Sequence, residues 1–321
     1  MSKKFNFVAA GVAVVASFSL LPAPALAQRG GALQGGPDYL GGCVAGVPDP
    51  PPPNAAARGG GRGAALAPEN GGGPGRGRGR GAAQPAAAPA PRLPDNKEAY
   101  GVNAGKPDFG GLSKGMWTVP YIINMATQGR NPDGSAPVVP PCKPEAVKLF
   151  QERQANHMKD DPEGFCLPPG VPRMMYTPYP TEIFQMPDRI LFIYEGGAHV
   201  WRIIWMDGRE LPKDPNPTFL GYSVGHWEGD TLVVNSLGFN NETWLDAAGH
   251  PHGEQLKVTE KYTRPDMNTL RLEATIDDPE YYTKPWTVVT TARWTPGQEL
   301  MEYICQENNR DLGHIGAERG K

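Results

Sequence analysis

The stretch FLGYSVGHWEGDTLVVNSLGF, residues 219–239, decides the fold. Apolar and polar residues alternate on both sides of Gly229 and Asp230. Period-two alternation around a two-residue Gly/Asp turn is the mark of a β-hairpin. Counting outward from that turn sets Glu228 opposite Thr231, Trp227 opposite Leu232 and His226 opposite Val233. Trp227, Leu232 and Val234 then share a core face, and His226 and Glu228 share the other. Asp230 suits a cap on its own turn. The histidine and two acids in this stretch are thus explained by a hairpin before any chemistry is invoked.

The same period extends on either side. Residues 189–195 (RILFIYE) and 199–206 (HVWRIIWM) make a hairpin around Gly196, Gly197 and Ala198. Residues 254–264 and 268–277 make another around Pro265, Asp266 and Met267. Residues 286–294 (WTVVTTARW) and 299–305 (ELMEYIC) make a fourth around TPGQ. Four hairpins with short turns predict an all-β chain. The expected fold is an antiparallel eight-stranded lipocalin-like barrel, or a strongly curved meander, with one accessory helix. A barrel of that size leaves a lumen wide enough for a small ligand. The helix is expected from Pro144, with Ala146, Leu149, Phe150, Arg153 and His157 on one stripe. The proline-rich residues 166–180 read as an ordered crossing loop that buries Met174, Met175 and Tyr176.

Upstream the composition changes. Residues 1–27 read as a signal peptide: Lys3 and Lys4, an apolar run, then ALA at 25–27. Residues 28–92 hold 18 Gly and 11 Pro, with seven Arg against three acids. Such a segment buries almost nothing and is expected to be a disordered tether, capable of a weak envelope contact. Residues 93–165 read as a wrapping arm with one helix, anchored by GMWTVPYI, and residues 166–321 as the β-barrel domain. From residue 93 onward there are 22 basic and 31 acidic residues, which argues against a nucleic-acid partner. Export places the protein in the periplasm or outside the cell. There, four cysteines suggest pairing. Cys142 with Cys166 is the expected bridge, leaving Cys305 as a partner for Cys43 or as a buried thiol.

Several residues could carry chemistry. Tyr194 and Arg202 fall on the same face of the first hairpin. An arginine among aromatics needs a carboxylate or a ligand oxygen, because an unpaired buried charge is costly. Glu195 opposite His199 forms a possible acid–base pair. The polar connection at 240–256 carries Trp244, Asp246, His250, His252 and Glu254, and loops at a barrel mouth commonly hold ligands. His252 with Glu254 is the second candidate acid–base pair. The histidine spacing there is not a strong metal signature, so no metal or cofactor is expected. Asp207 and Gly208 form a turn over which Arg209 can reach. Tyr194, Arg202, Arg209, Trp244 and His226 are the candidate ligand contacts. A nucleophile elbow, a zinc-protease motif, a phosphate loop and a dinucleotide glycine pattern are all absent from the sequence.

DGRELP, GYSVGHWEGDTLVVNSLGFNNETWLDAAGHPHGEQLKVTEKYTR and TIDDPEYYTKPWTV together resemble a large, mostly uncharacterised family of exported bacterial proteins with a lipocalin-like expectation. The likeness spans residues 166–307. It is carried by Asp207, Gly208, Arg209, Trp227, Glu228, Gly229, Asp230, Thr231, Trp244, His252, Glu260, Asp278, Pro279 and Trp286. The chain departs from that pattern at His226, where an arginine is more usual, and at Gly253, where a serine is common. The resemblance implies a fold and an exported protein, and supplies no activity. The functional expectation is a β-barrel that binds a small aromatic or apolar organic molecule. The alternatives are a cofactor-independent isomerase, lyase or hydrolase using the histidine–carboxylate pairs, and a structural envelope protein.

Overall fold

The computed structural model describes Cys43 and residues 87–307, except the side chains of Ala198 and His199. The signal peptide and most of the tether expected from the sequence lie outside the described residues. Nine strands form a closed barrel: β1 (Gly115–Thr118), β2 (Thr181–Gln185), β3 (Arg189–Tyr194), β4 (Trp201–Trp205), β5 (Tyr222–Glu228), β6 (Thr231–Leu237), β7 (Lys257–Asp266), β8 (Thr269–Asp277) and β9 (Trp286–Pro296). The short helices α1 (Lys97–Tyr100), α2 (Met125–Gln128) and α4 (Gly196–His199) and the longer α3 (Pro144–Ala155) lie around it.

Local registers follow the turns. Trp227 pairs with Leu232 and His226 with Val233, as the Gly229–Asp230 turn dictates. Phe192 pairs with Arg202 and Ile193 with Trp201. Asp230 differs from expectation: both its oxygens accept from the Arg92 guanidinium, each at 2.8 Å. The α3 helix begins at Pro144 and buries Ala146 and Phe150, whereas His157 lies beyond it and is exposed.

Three expectations about the barrel are corrected. The count is nine strands, not eight, because residues 299–305 form no strand and β1 and β2 do. β9 pairs with β1 instead, setting Trp117 against Trp294. Those rings meet edge-on at 5.0 Å, and Trp117 is wholly buried. Burying a tryptophan is worth about 4–6 kcal/mol. Met301 by contrast remains 70% exposed. The third correction concerns direction. β4 and β5 are parallel, because proline-bearing residues 206–221 return the chain to the starting end before β5 begins.

The cysteine pairing also differs. Cys43 is bonded to Cys142 and Cys166 to Cys305, so Cys142–Cys166 does not form. Cys43 is buried, tying one point of the expected tether to the domain.

Both barrel ends are plugged. The lower end takes Phe109, whose carbonyl accepts the Trp117 indole N–H at 2.6 Å and whose amide donates to Gln185 at 2.6 Å. There too the Trp227 indole donates to Asn103 at 2.8 Å. The upper end is covered by α2, α3, the 3-10 turn Arg173–Met175 and the connection 240–256. Met174, Met175 and Tyr176 are buried there, as the sequence suggested.

Candidate functional site

Strand alternation sends Phe192 and Tyr194 of β3, Arg202 and Ile204 of β4, Ser236 of β6, and Glu260 and Tyr262 of β7 into the barrel, where all are buried. Arg202 finds its carboxylate in Glu260, at 2.5 Å. It also donates to Ser223 at 3.1 Å and Ser236 at 2.8 Å, and those two hydroxyls share a bond of 2.9 Å. The second Glu260 oxygen accepts from the Tyr262 hydroxyl at 2.7 Å. Burial alone would lower the Arg202 pKa. Glu260 and the neighbouring tyrosines outweigh it, so the guanidinium is held firmly in its charged form. Burial raises the Tyr194 and Tyr176 hydroxyls above their ordinary range and keeps them neutral. Around this cluster Ile204, Leu232, Val234, Leu270 and Leu272 fill the barrel with one continuous apolar core.

The connection 240–256 folds inward. Asp246, fully buried, accepts from the amides of Met125, Gly249 and His250, and from His250 Nδ1 at 2.6 Å. Burial works against its ionisation, and His250 with these amides reverses that, holding the carboxyl below the usual carboxylate range. His252 Nδ1 donates to the Gly253 carbonyl at 3.1 Å, so Nε2 accepts from Thr243, 2.6 Å away. Burial lowers the His252 pKa. Trp244 is buried beneath the Arg153 guanidinium, 4.4 Å from the ring centre. Burial in turn lowers Arg153 to about 10.

His252 and Glu254, one of the expected pairs, are not joined. Glu195 accepts the Met301 amide at 2.7 Å; the His199 side chain lies outside the described residues. Glu254 is exposed in an outer cleft of about 380 Å³ that it shares with Lys213, Asp214, Lys257 and Asp277, and no hydrogen bond or ion pair joins it to His252. His226 is exposed beside Glu228 at 3.4 Å. Arg209 folds back over the turn onto Asp207, as expected, and stacks 3.7 Å from the Trp205 ring centre on the outer face. Among the candidate residues whose side chains are described, the fold brings together Tyr194 and Arg202. Among the described residues, no group of three or more His, Cys, Asp or Glu is arranged to hold a metal ion.

A second feature escaped sequence reasoning. Outside the barrel, a groove of about 430 Å³ runs between the arm and the outer face of β2 and β3. Leu93, Tyr100 and Leu112 form one wall; Phe184, Leu191 and Ile193 form the other. Leu112 and Met186 stand open to solvent at its rim. The alternation that buries Phe192 and Tyr194 requires Leu191 and Ile193 to face outward. Apolar residues on both faces of β3 were the available signal. No family model, curated protein or solved structure matches this chain.

Proposed function

We propose that this β-barrel protein binds a small apolar or aromatic molecule in the groove between the arm and the outer face of β2 and β3. One observation carries the reading: the groove is lined almost entirely by hydrocarbon while remaining open to solvent. Its volume of about 430 Å³ lies within the range of small-molecule sites. Solvent-facing apolar walls gain free energy when a ligand covers them, at roughly 25 cal/mol per Å². The histidine–carboxylate alternatives have less support, since Glu195 is bonded to the Met301 amide and His252 to Thr243 and the Gly253 carbonyl. The two disulfides fit a protein that works in an oxidising compartment such as the periplasm.

The test is fluorescence titration of the full chain with N-phenyl-1-naphthylamine. Saturable enhancement at one site, weakened about tenfold or more by Leu191→Glu with the circular dichroism spectrum intact, supports the groove. Equal binding by wild type and variant removes it.

A further inference from the structure

Residues 91–108 close on themselves as a loop. The Leu93 amide donates to the Lys106 carbonyl at 2.9 Å, Gly105 to Pro94 at 3.2 Å and Asp108 to Pro91 at 2.9 Å. The loop carries α1 and with it Tyr100. It spans the lower end of the barrel between two turns. On one side Asn103 donates to the Met186 carbonyl at 2.6 Å, and Gly101 lies against Pro187 in the β2–β3 turn. On this side Leu93 and Tyr100 form the arm wall of the outer groove.

On the other side the loop is gripped by the Gly229–Asp230 turn of β5 and β6. Two guanidinium nitrogens of Arg92 donate to the two oxygens of Asp230, and its third donates back to the Gly105 carbonyl at 2.8 Å. Lys106 donates to the Gly229 carbonyl at 2.8 Å and lies 5.7 Å from the Trp227 ring centre. Arg92 and Leu93 are consecutive and face opposite ways. Arg92 is exposed and reaches Asp230, whereas Leu93 is buried and walls the groove. The grip on Asp230 is therefore one residue away from the ligand-facing surface.

Charge separates this grip from the other contacts of the loop. A bidentate guanidinium–carboxylate pair fixes direction as well as distance. Its two side chains are 50% and 57% exposed, so dissolved salt screens them. Arg92 holds the Asp230 carboxyl below the usual carboxylate range, and Lys106 adds to the effect. The nearby Glu228 is engaged by His226 and Lys261. The contacts of Asn103 with Met186 and Trp227 join uncharged groups, which salt screens little. Burial of an apolar ligand is not weakened by salt either, and excluded salts strengthen it. Loss of affinity on adding salt would thus report the charged grip.

We infer that Asp230 is a positioning residue for the outer groove: by gripping Arg92 it holds Leu93 and Tyr100 in place as the groove's arm wall, so that salt loosens this wall and lowers affinity for an uncharged ligand. The inference rests on the reading of that groove as a binding site. It also gives the turn of the GHWEGD stretch a role at a surface far from it in sequence.

The experiment uses the full chain with both disulfides intact. N-phenyl-1-naphthylamine, uncharged at neutral pH, is titrated between about 20 mM and about 500 mM NaCl. Amide hydrogen exchange at Leu93 and Tyr100 is followed at the same salt concentrations without ligand. Wild-type binding should weaken about twofold to fivefold as salt rises, and both amides should exchange several-fold faster. Asp230→Asn should show the high-salt affinity and exchange at every salt concentration. Combining Arg92→Asp with Asp230→Arg should restore the salt dependence. If wild-type exchange ignores salt and Asp230→Asn exchanges like wild type, the grip does not hold the wall and the inference falls. If Asp230→Asn weakens binding equally at all salt concentrations while wild type is insensitive to salt, Asp230 is merely structural and the inference falls as well. Exchange that responds to salt and to Asp230→Asn, in a chain that binds no N-phenyl-1-naphthylamine, would uphold the grip on the wall and remove the groove as a binding site.

Discussion

Arg202 and Glu260 stand 58 residues apart in sequence, yet meet at 2.5 Å inside the barrel, both almost fully buried. Either charge alone in that core is expensive, while the pair together is tolerated. Arg202→Met or Glu260→Met is therefore expected to cost about 3–5 kcal/mol in urea unfolding. The double variant should recover most of that loss. Single losses that simply add would show that the two residues do not depend on each other.

His252 sets a pH dependence. Burial holds its folded pKa below the ordinary value of 6.5, so the unfolded chain takes up a proton that the native one refuses. This contribution to stability is complete above pH about 6.5 and declines as pH falls, by at most about 1.4 kcal/mol per pH unit, until the folded pKa is reached. Asp246 acts in a separate window, since its depressed pKa gives a contribution lost only below the usual carboxylate range. Denaturation of wild type and His252→Gln between pH 5 and 8 should differ in slope. Parallel curves would remove His252 as the source.

The disulfides give a direct mapping test. Non-reducing peptide analysis should yield Cys43–Cys142 and Cys166–Cys305, and no Cys142–Cys166 peptide. Cys166 and Cys305 lie 139 residues apart. On the chain-entropy argument, replacing both by serine costs up to about 5 kcal/mol, read as a lower melting temperature.

Gly101 connects the groove to the backbone that shapes it. Its φ is +54°, and a Cβ there would fall 2.0 Å from the Pro187 carbonyl oxygen. Tyr100, its neighbour, lines the groove. Gly101→Ala should shift that wall, weakening N-phenyl-1-naphthylamine binding several-fold and lowering stability by about 1–3 kcal/mol. Unchanged binding would show that the wall does not depend on this turn.

How much was legible varies by element. The pairing of Trp227 with Leu232, and of Phe192 with Arg202, could be counted from two-residue alternation and adjacent turns. The need of Arg202 for a carboxylate was visible as well, but its identity was not. Glu260 lies on a strand whose position around the barrel depends on every intervening connection. Its inward position beside Val258 and Tyr262 was the clue available. The groove was hidden for a related reason. Leu191 and Ile193 fall on the face of β3 opposite Phe192 and Tyr194, and only the arm laid against them makes a cleft.

The sequence by itself determined the two-residue period and the local registers of the hairpins β3–β4 and β5–β6, because these depend on neighbours within a few residues. Only the tertiary structure decided how the barrel closes, that β4 and β5 run parallel, and which cysteines pair. Those outcomes are competitions between distant segments for the same edge or core space. Trp117 took the place beside Trp294 that residues 299–305 were expected to fill, and its ring is wholly buried there.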